Sequence, residues 1–278
     1  MNNENNKADN KAKLLLKRKV RTISLLLLTG IVLCTIMTVN DAWQTNGHNN
    51  VKECISGTVV TNKSKTISSG NKKNEKTAYL TFDDGPSALT PEILDILKEY
   101  DVKATFFMIG CQINKSTKKI VKRLCREGHQ IGVHTYCHEA DQIYCSADAY
   151  YDDVLKTEKI ILKYTGETPL IYRFPWGSAN GYIHKFKKDV IDKLSAAGLE
   201  YCDWNVSGED SIGNPTASQI IANVKKDYDR YNEPVVLLHD AGARKETVKA
   251  LPEIIKMFIN AGYSFDIIGN RDKPYQWK

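Results

Sequence analysis

From Thr77 onward the chain repeats one theme, a short apolar or β-branched run followed by a longer amphipathic stretch, and that rhythm limits the folds open to it. The runs are TAYLTFD (77–83), ATFFMIG (104–110), QIGVH (130–134), LIYRFP (170–175), LEYCDWN (199–205), PVVLLHD (234–240) and YSFDIIG (263–269). The segments between them are long enough for crossover helices, so seven strand-then-helix units predict parallel strands. Uninterrupted apolar runs such as VVLL predict strands covered on both faces. Local signals mark the helices. Thr90 is a candidate N-cap with Pro91 at the first helical position, and Gly128 and Gly198 stand where left-handed C-caps belong. The pattern predicts an α/β fold, either a distorted or incomplete (β/α) barrel of about seven parallel strands or an open doubly wound sheet. Both gather functional groups at the C-terminal ends of the strands.

The polar residues fall where that rule asks. The first strand ends in Asp83-Asp84-Gly85-Pro86 and the third in His134, with His138 four residues later. The fourth ends in Arg173-Phe174-Pro175-Trp176, the fifth runs into Asp203-Trp204 and then Asp210, and the sixth ends in Leu237-Leu238-His239-Asp240. Five such clusters at five strand exits predict one convergent site. His134 and His138 are spaced so that both imidazoles can face one point. With one carboxylate they would form a two-His-one-Asp site that leaves positions open for water and substrate. Alone, such a His pair is more often structural; after a strand and opposite a double aspartate it reads as a metal site. The side chains of Asp83 and Asp84 diverge if the backbone is extended, so one can ligate while the other acts as a base.

TFDDGP at 81–86, HTYCH at 134–138, RFPW at 173–176 and LLH at 237–239 resemble motifs of the polysaccharide deacetylases (NodB-type, carbohydrate esterase family 4). The resemblance covers roughly Lys76 to Gly269 with the motifs in order. It implies a distorted (β/α) barrel, with Asp83 as general base and Asp84, His134 and His138 as ligands of a divalent metal, usually zinc, with cobalt an alternative. It further implies that Arg173 holds Asp83, that His239 is the general acid, and that Pro175, Trp176 and Leu237 help form the substrate pocket. One motif departs from the family pattern. In SGED (207–210), Asp210 fits the carboxylate that tunes the acid His, but Ser211 stands where the family has Trp. Trp204 or Trp176 is left to supply that wall, and Asp203 competes with Asp210 for the tuning role.

The N-terminus carries separate information. Residues 1–21 form a basic head, and residues 22–40 (TISLLLLTGIVLCTIMTVN) are uncharged. A bilayer core needs about 20 apolar residues, and basic residues favour the cytoplasmic side, so this run is expected to anchor the chain with the remainder outside. A cleaved signal peptide is the rival reading. Residues 41–76, rich in Asn, Lys, Ser and Thr, read as a flexible linker before a catalytic domain at 77–278. The net charge of +6 is concentrated in the head, because residues 41–278 hold 32 bases against 31 acids. No nucleic-acid partner is expected from so neutral a body, and no protein partner is inferred. The six cysteines after residue 40 match no zinc-knuckle spacing; mostly buried thiols and some disulfides are both open readings.

The expected activity is hydrolytic removal of N- or O-acetyl groups from a glycan outside the cytoplasm, N-acetylated peptidoglycan sugars first. Chitin-like, xylan and exopolysaccharide substrates remain alternatives. Two other classes compete: a phosphotransfer enzyme built on the Asp83-Asp84 pair, which would leave three strand-end histidines without purpose, and a catalytically silent glycan-binding relative, for which Ser211 is the only support.

Overall fold

The computed structural model describes residues 76–277, and within them every strand pairing is parallel. In chain order the elements are β1 (Lys76–Gly85), α1 (Thr90–Glu99), β2 (Thr105–Met108), α2 (Lys118–Arg126), β3 (Gln130–Val133), the short α3 (Ala140–Ile143) and α4 (Ala147–Thr165). There follow β4 (Ile171–Tyr172), α5 (Lys187–Ala196), β5 (Glu200–Tyr201), β6 (Val206–Ser207), α6 (Ala217–Asp227), β7 (Val235–His239), α7 (Lys245–Asn260) and β8 (Tyr263–Phe265). The membrane-anchor and linker expectations at 1–21, 22–40 and 41–75 lie outside the described residues. Among the described residues no helix is long and apolar enough to cross a membrane.

The sheet runs β5-β4-β3-β2-β1-β7-β6, with β8 joined to the start of β1. Its two edges, β5 and β6, are consecutive in sequence and separated only by residues 202–205. So short a link spans roughly 15–20 Å at full extension, so the sheet must curl until its edges approach, an open barrel with one seam. The sequence reading joined residues 199–205 into one strand and missed β6. The seam explains both, since the chain leaves one edge there and joins the other. Its backbone groups find other partners, as where Asp203 N–H donates to Tyr275 O (2.7 Å).

Two apolar clusters separate the inside of the barrel from the outside. Alternation along β1 sends Ala78, Leu80 and Phe82 outward against α1, α7 and the other helices, and Tyr79 inward with Phe107, Ile171, Cys202, Val235 and Ile268. Both helix stops read from the sequence occur, with Gly128 and Gly198 at φ +77° and +86°. The N-cap reading of Thr90 does not hold. The residue lies inside α1, and its hydroxyl serves Ser87 N–H and the buried Asp240 carboxylate instead. The expectation of mostly buried thiols also fails among the described residues, since Cys111 and Cys145 are exposed, Cys125 and Cys137 half-buried and only Cys202 buried; all five are free.

Candidate active site

Strand β1 carries the first half of the site because its ladder breaks there. Asp83 pairs with Phe107 and Gly85 with Met108, so Asp84 is the extra residue of a bulge, with φ +72°. That left-handed turn, rather than simple alternation, lets two adjacent carboxylates do different things. Asp83 points inward, 3% exposed. Gly85 is required beside it, because a Cβ there would stand 2.4 Å from Asp240 Oδ2.

Asp84 Oδ1 faces His134 Nε2 and His138 Nε2, each at 3.5 Å. This oxygen is buried and has no hydrogen-bond donor, a costly state for a carboxylate unless a cation takes the place of one. The three ligand atoms lie within 4.8 Å of one another. Bonds of about 2.0–2.2 Å from each to one centre would need little adjustment. His134 Nδ1 lies 3.0 Å from the Arg173 carbonyl, which orients the ring and fixes Nε2 as the free nitrogen. Burial, reinforced by His138 nearby, pushes the His134 imidazole down to about 3, so it is neutral with its lone pair available. One carboxylate and two imidazole nitrogens make a donor set that fits a divalent metal such as zinc or cobalt.

Arg173 is the hub beneath the site, with no exposed surface. Its guanidinium donates to Asp83 Oδ1 (2.9 Å), Thr81 Oγ1 (2.7 Å), Cys202 O (2.8 Å) and Asp203 O (3.0 Å), and it stacks over Phe107. It therefore ties β1 to the segment that leaves β5 at the seam. Asp83 keeps Oδ2 free on the ligand side, 3.8 Å from His134 Nε2. Burial raises the Asp83 carboxyl above its ordinary range even though Arg173, and then His239, pull it down.

The opposite wall comes from β7. His239 is the register partner of Asp83, which brings its ring to the same mouth. Its Nδ1 lies 2.8 Å from Asp210 Oδ1, while Asp210 Oδ2 accepts from His239 N–H and from Thr247 Oγ1. With Nδ1–H donating to the carboxylate, Nε2 is the nitrogen left for chemistry. Burial lowers the His239 imidazole, but the hydrogen bond and charge of Asp210, with Asp83 and Asp84 beyond, outweigh it, so the net shift is upward.

The structure brings Asp83, Asp84, His134, His138, Arg173, Asp210 and His239 to one mouth and sends Asp203 elsewhere. Asp203 is fully buried at the seam, where its carboxylate accepts from Ser178 N–H, Ser178 Oγ and Trp277 N–H. Its closeness to strand five made it a candidate beside His239; the two-residue β6, absent from the sequence reading, delivers Asp210 instead. Trp204 packs edge-on against Trp277 at the seam (4.5 Å between ring centroids) and lies 5.6 Å from the Arg173 guanidinium. Trp176 is 49% exposed and adjoins His138, with ring centroids 4.9 Å apart. Pro175 is buried and its carbonyl accepts from Tyr144 Oη, while Leu237 lies on the inner face opposite Thr81.

Two supports escaped the sequence reading. Asp153 of α4 accepts Tyr136 N–H and a weak Cys137 thiol hydrogen bond, holding the loop in which Thr135 and His138 adopt positive φ. The only signal was an acidic residue flanking the buried stripe Tyr150, Val154, Thr157 and Ile161. Asp240 was grouped with the strand exit but given no role. Its carboxylate accepts Ser87 Oγ (2.6 Å) and Thr90 Oγ1 (2.5 Å), clamping the turn after Asp84 onto α1.

Comparison with known proteins agrees with this geometry. The family model for polysaccharide deacetylase matches residues 70–202, ending before Asp210 and His239. A peptidoglycan-N-acetylglucosamine deacetylase of Bacillus cereus is 34% identical over 201 residues, covering 70% of this chain and 70% of the relative. Among solved structures, the catalytic domain of a peptidoglycan N-acetylglucosamine deacetylase from Eubacterium rectale has a TM-score of 0.68 at 33% identity, covering 78% of this chain and 97% of that one. A family 4 acetyl xylan esterase from Clostridium thermocellum, solved with a cobalt ion, has a TM-score of 0.61 at 31% identity, covering 70% and 89%. The sequence match and these structural likenesses place this chain in the polysaccharide deacetylase family (NodB-type, carbohydrate esterase family 4).

Proposed function

We propose that this chain is a metal-dependent hydrolase that removes N-acetyl groups from peptidoglycan sugars. One observation carries the reading: Asp83 and His239, register partners on neighbouring strands, flank a donor set whose buried carboxylate oxygen has no hydrogen-bond donor. A divalent metal held by Asp84, His134 and His138 supplies polarisation of the acetyl carbonyl and a more acidic water. Asp83 accepts the proton of the attacking water at Oδ2, because Arg173 occupies Oδ1. Burial makes that carboxylate a stronger base than an exposed one, and Arg173 fixes its direction. His239 delivers a proton from Nε2 to the departing amine, while Asp210 holds the ring and favours its charged form. Trp176, Leu237 and Pro175 bound the acetyl pocket, with Trp204 contributing from behind through the seam.

The peptidoglycan substrate rests on the named activity of the Bacillus cereus and Eubacterium rectale relatives, and an extracytoplasmic location on the uncharged run at 22–40. The Clostridium thermocellum esterase supports acetylated xylan as the competing substrate. Acetate release from purified peptidoglycan, N-acetylated chitooligosaccharides and acetylated xylan tests the reading on chelator-treated protein before and after zinc or cobalt is restored. Release from peptidoglycan that returns only with metal is expected. Release from xylan alone overturns the substrate, and full activity after chelation overturns the metal.

A further inference from the structure

The carboxylate that steers His239 is itself held from a separate element. Asp210 is buried, and its two oxygens are used unequally. Oδ1 faces the imidazole Nδ1 at 2.8 Å, while Oδ2 accepts His239 N–H (2.8 Å) and the Thr247 hydroxyl (2.7 Å). Of these partners only Thr247 lies outside β7; it belongs to α7. Packing alone does not fix the carboxylate, since Asp210, Arg244 and Thr247 line a cavity of about 90 Å³. The terminal torsion of an aspartate is broad and roughly two-fold, so in that space its direction depends on the donors that reach it.

Thr247 can direct Asp210 because its own position is fixed. It is the third residue of α7 and is buried. Branching at Cβ restricts its χ1 within a helix. A helical threonine hydroxyl often turns back to a carbonyl of the preceding turn, but this one reaches Asp210. Farther along, α7 buries Leu251, Ile254, Ile255 and Phe258 in the outer core, so the hydroxyl is presented by a rigid element. The start of α7 also grips the chain beyond Asp210. Arg244 donates to Ser211 O and Gly213 O, each at 3.1 Å, and Glu246 accepts Ala217 N–H at 2.9 Å. Where Ser211 stands in place of the family's Trp, the loop is thus held by its backbone rather than by a large side chain.

We propose that Thr247 is a positioning residue for proton transfer: its hydroxyl fixes the Asp210 carboxylate so that Oδ1 holds the His239 ring with Nε2 toward the leaving amine. This role rests on the deacetylase reading of Asp210 and His239 and adds a third member to that pair. The test uses the zinc-loaded full chain. Thr247→Val keeps the shape of the side chain without the hydroxyl, and Thr247→Ser keeps the hydroxyl. On the N-acetylglucosamine tetramer, Thr247→Val is expected to lower kcat roughly five- to thirtyfold with KM and metal content near wild type, and Thr247→Ser to restore most of it. Hydrolysis of 4-nitrophenyl acetate should change less than about twofold, because nitrophenolate departs without a proton. An equal loss on both substrates would mark Thr247 as structural and overturn the proposal. A second arm does not depend on turnover. The His239 Nδ1 proton should give a downfield NMR signal protected from solvent exchange in wild type and Thr247→Ser, and lose that protection in Thr247→Val. A wild-type signal in Thr247→Val overturns the positioning role. A signal that depends on the hydroxyl in a wild type that releases no acetate sinks only the deacetylase reading. If Thr247→Val does not fold, Thr247→Ala, which also lacks the hydroxyl, takes its place in both arms.

Discussion

The two halves of the active site are built from different backbone. The half we propose for proton transfer stands on the ladder: Asp83 lies within β1, and His239 ends β7 as its register partner. The ligand half stands on turns, with Asp84, Thr135 and His138 all at positive φ. A strand position is fixed by hydrogen bonds on both sides, whereas a left-handed residue persists only where its surroundings over-determine it. Asp153, Asp240 and the Arg173 carbonyl supply that support. Asp83 and His239 therefore keep their places by the fold itself, while Asp84 and His138 depend on outside hydrogen bonds.

The largest effects test whether the halves are separable. Asp83→Asn should lower turnover by about 10²–10⁴-fold with metal content after dialysis near wild type, whereas His134→Ala should lose metal and turnover together. Loss of metal from Asp83→Asn would break the distinction. Next comes Asp153→Ala, expected to weaken metal binding by roughly 10–100-fold in a competition titration, with Asp153→Asn recovering part of it because its carbonyl still accepts Tyr136 N–H. Equal metal affinity in wild type and Asp153→Ala would show that the turn holds itself.

A pH profile sharpens the other half. His239 must be protonated to act as an acid, and its pKa is raised in the folded protein, so activity should persist above the ordinary histidine range and fall as pH rises through the raised value. Asp210→Asn removes the main upward influence, so that alkaline limb should move to lower pH. A limb that stays in place would dissociate Asp210 from the proton-transfer role. The smallest effect is at the seam. Trp277→Ala removes the bond from its Nε1 to Trp204 O (2.6 Å) and the edge contact between the indoles. It should cost about 1–2 kcal/mol, or several degrees in melting temperature, with some loss of turnover through Arg173 and none of metal affinity. A selective loss of metal from Trp277→Ala would contradict the assignment of the seam to the proton-transfer half.

Much of this site was legible because its information is local. Strand and helix periods mark the strand ends, and Asp83, Asp84, His134, His138, Arg173 and His239 all sit at those ends. The ladder was less legible where strands are two residues long, as at β4, β5 and β6, since so short a run has no period to detect. The support given by Asp153 was hidden for another reason. It comes from one side of a helix, and sequence shows that a position flanks a buried stripe without showing which loop lies over it.

By itself, then, the sequence determined the parallel α/β architecture, the mouth at the strand ends and the residues able to ligate metal or move protons, because each depends on residue type at a periodic position. Only the tertiary structure decided between Asp203 and Asp210. That choice turns on the curl that brings β5 and β6 together and on a bond between Asp203 and Trp277, 74 residues apart in the chain. Closure of a sheet and contacts across such separations follow from global packing, which no local pattern of residues records.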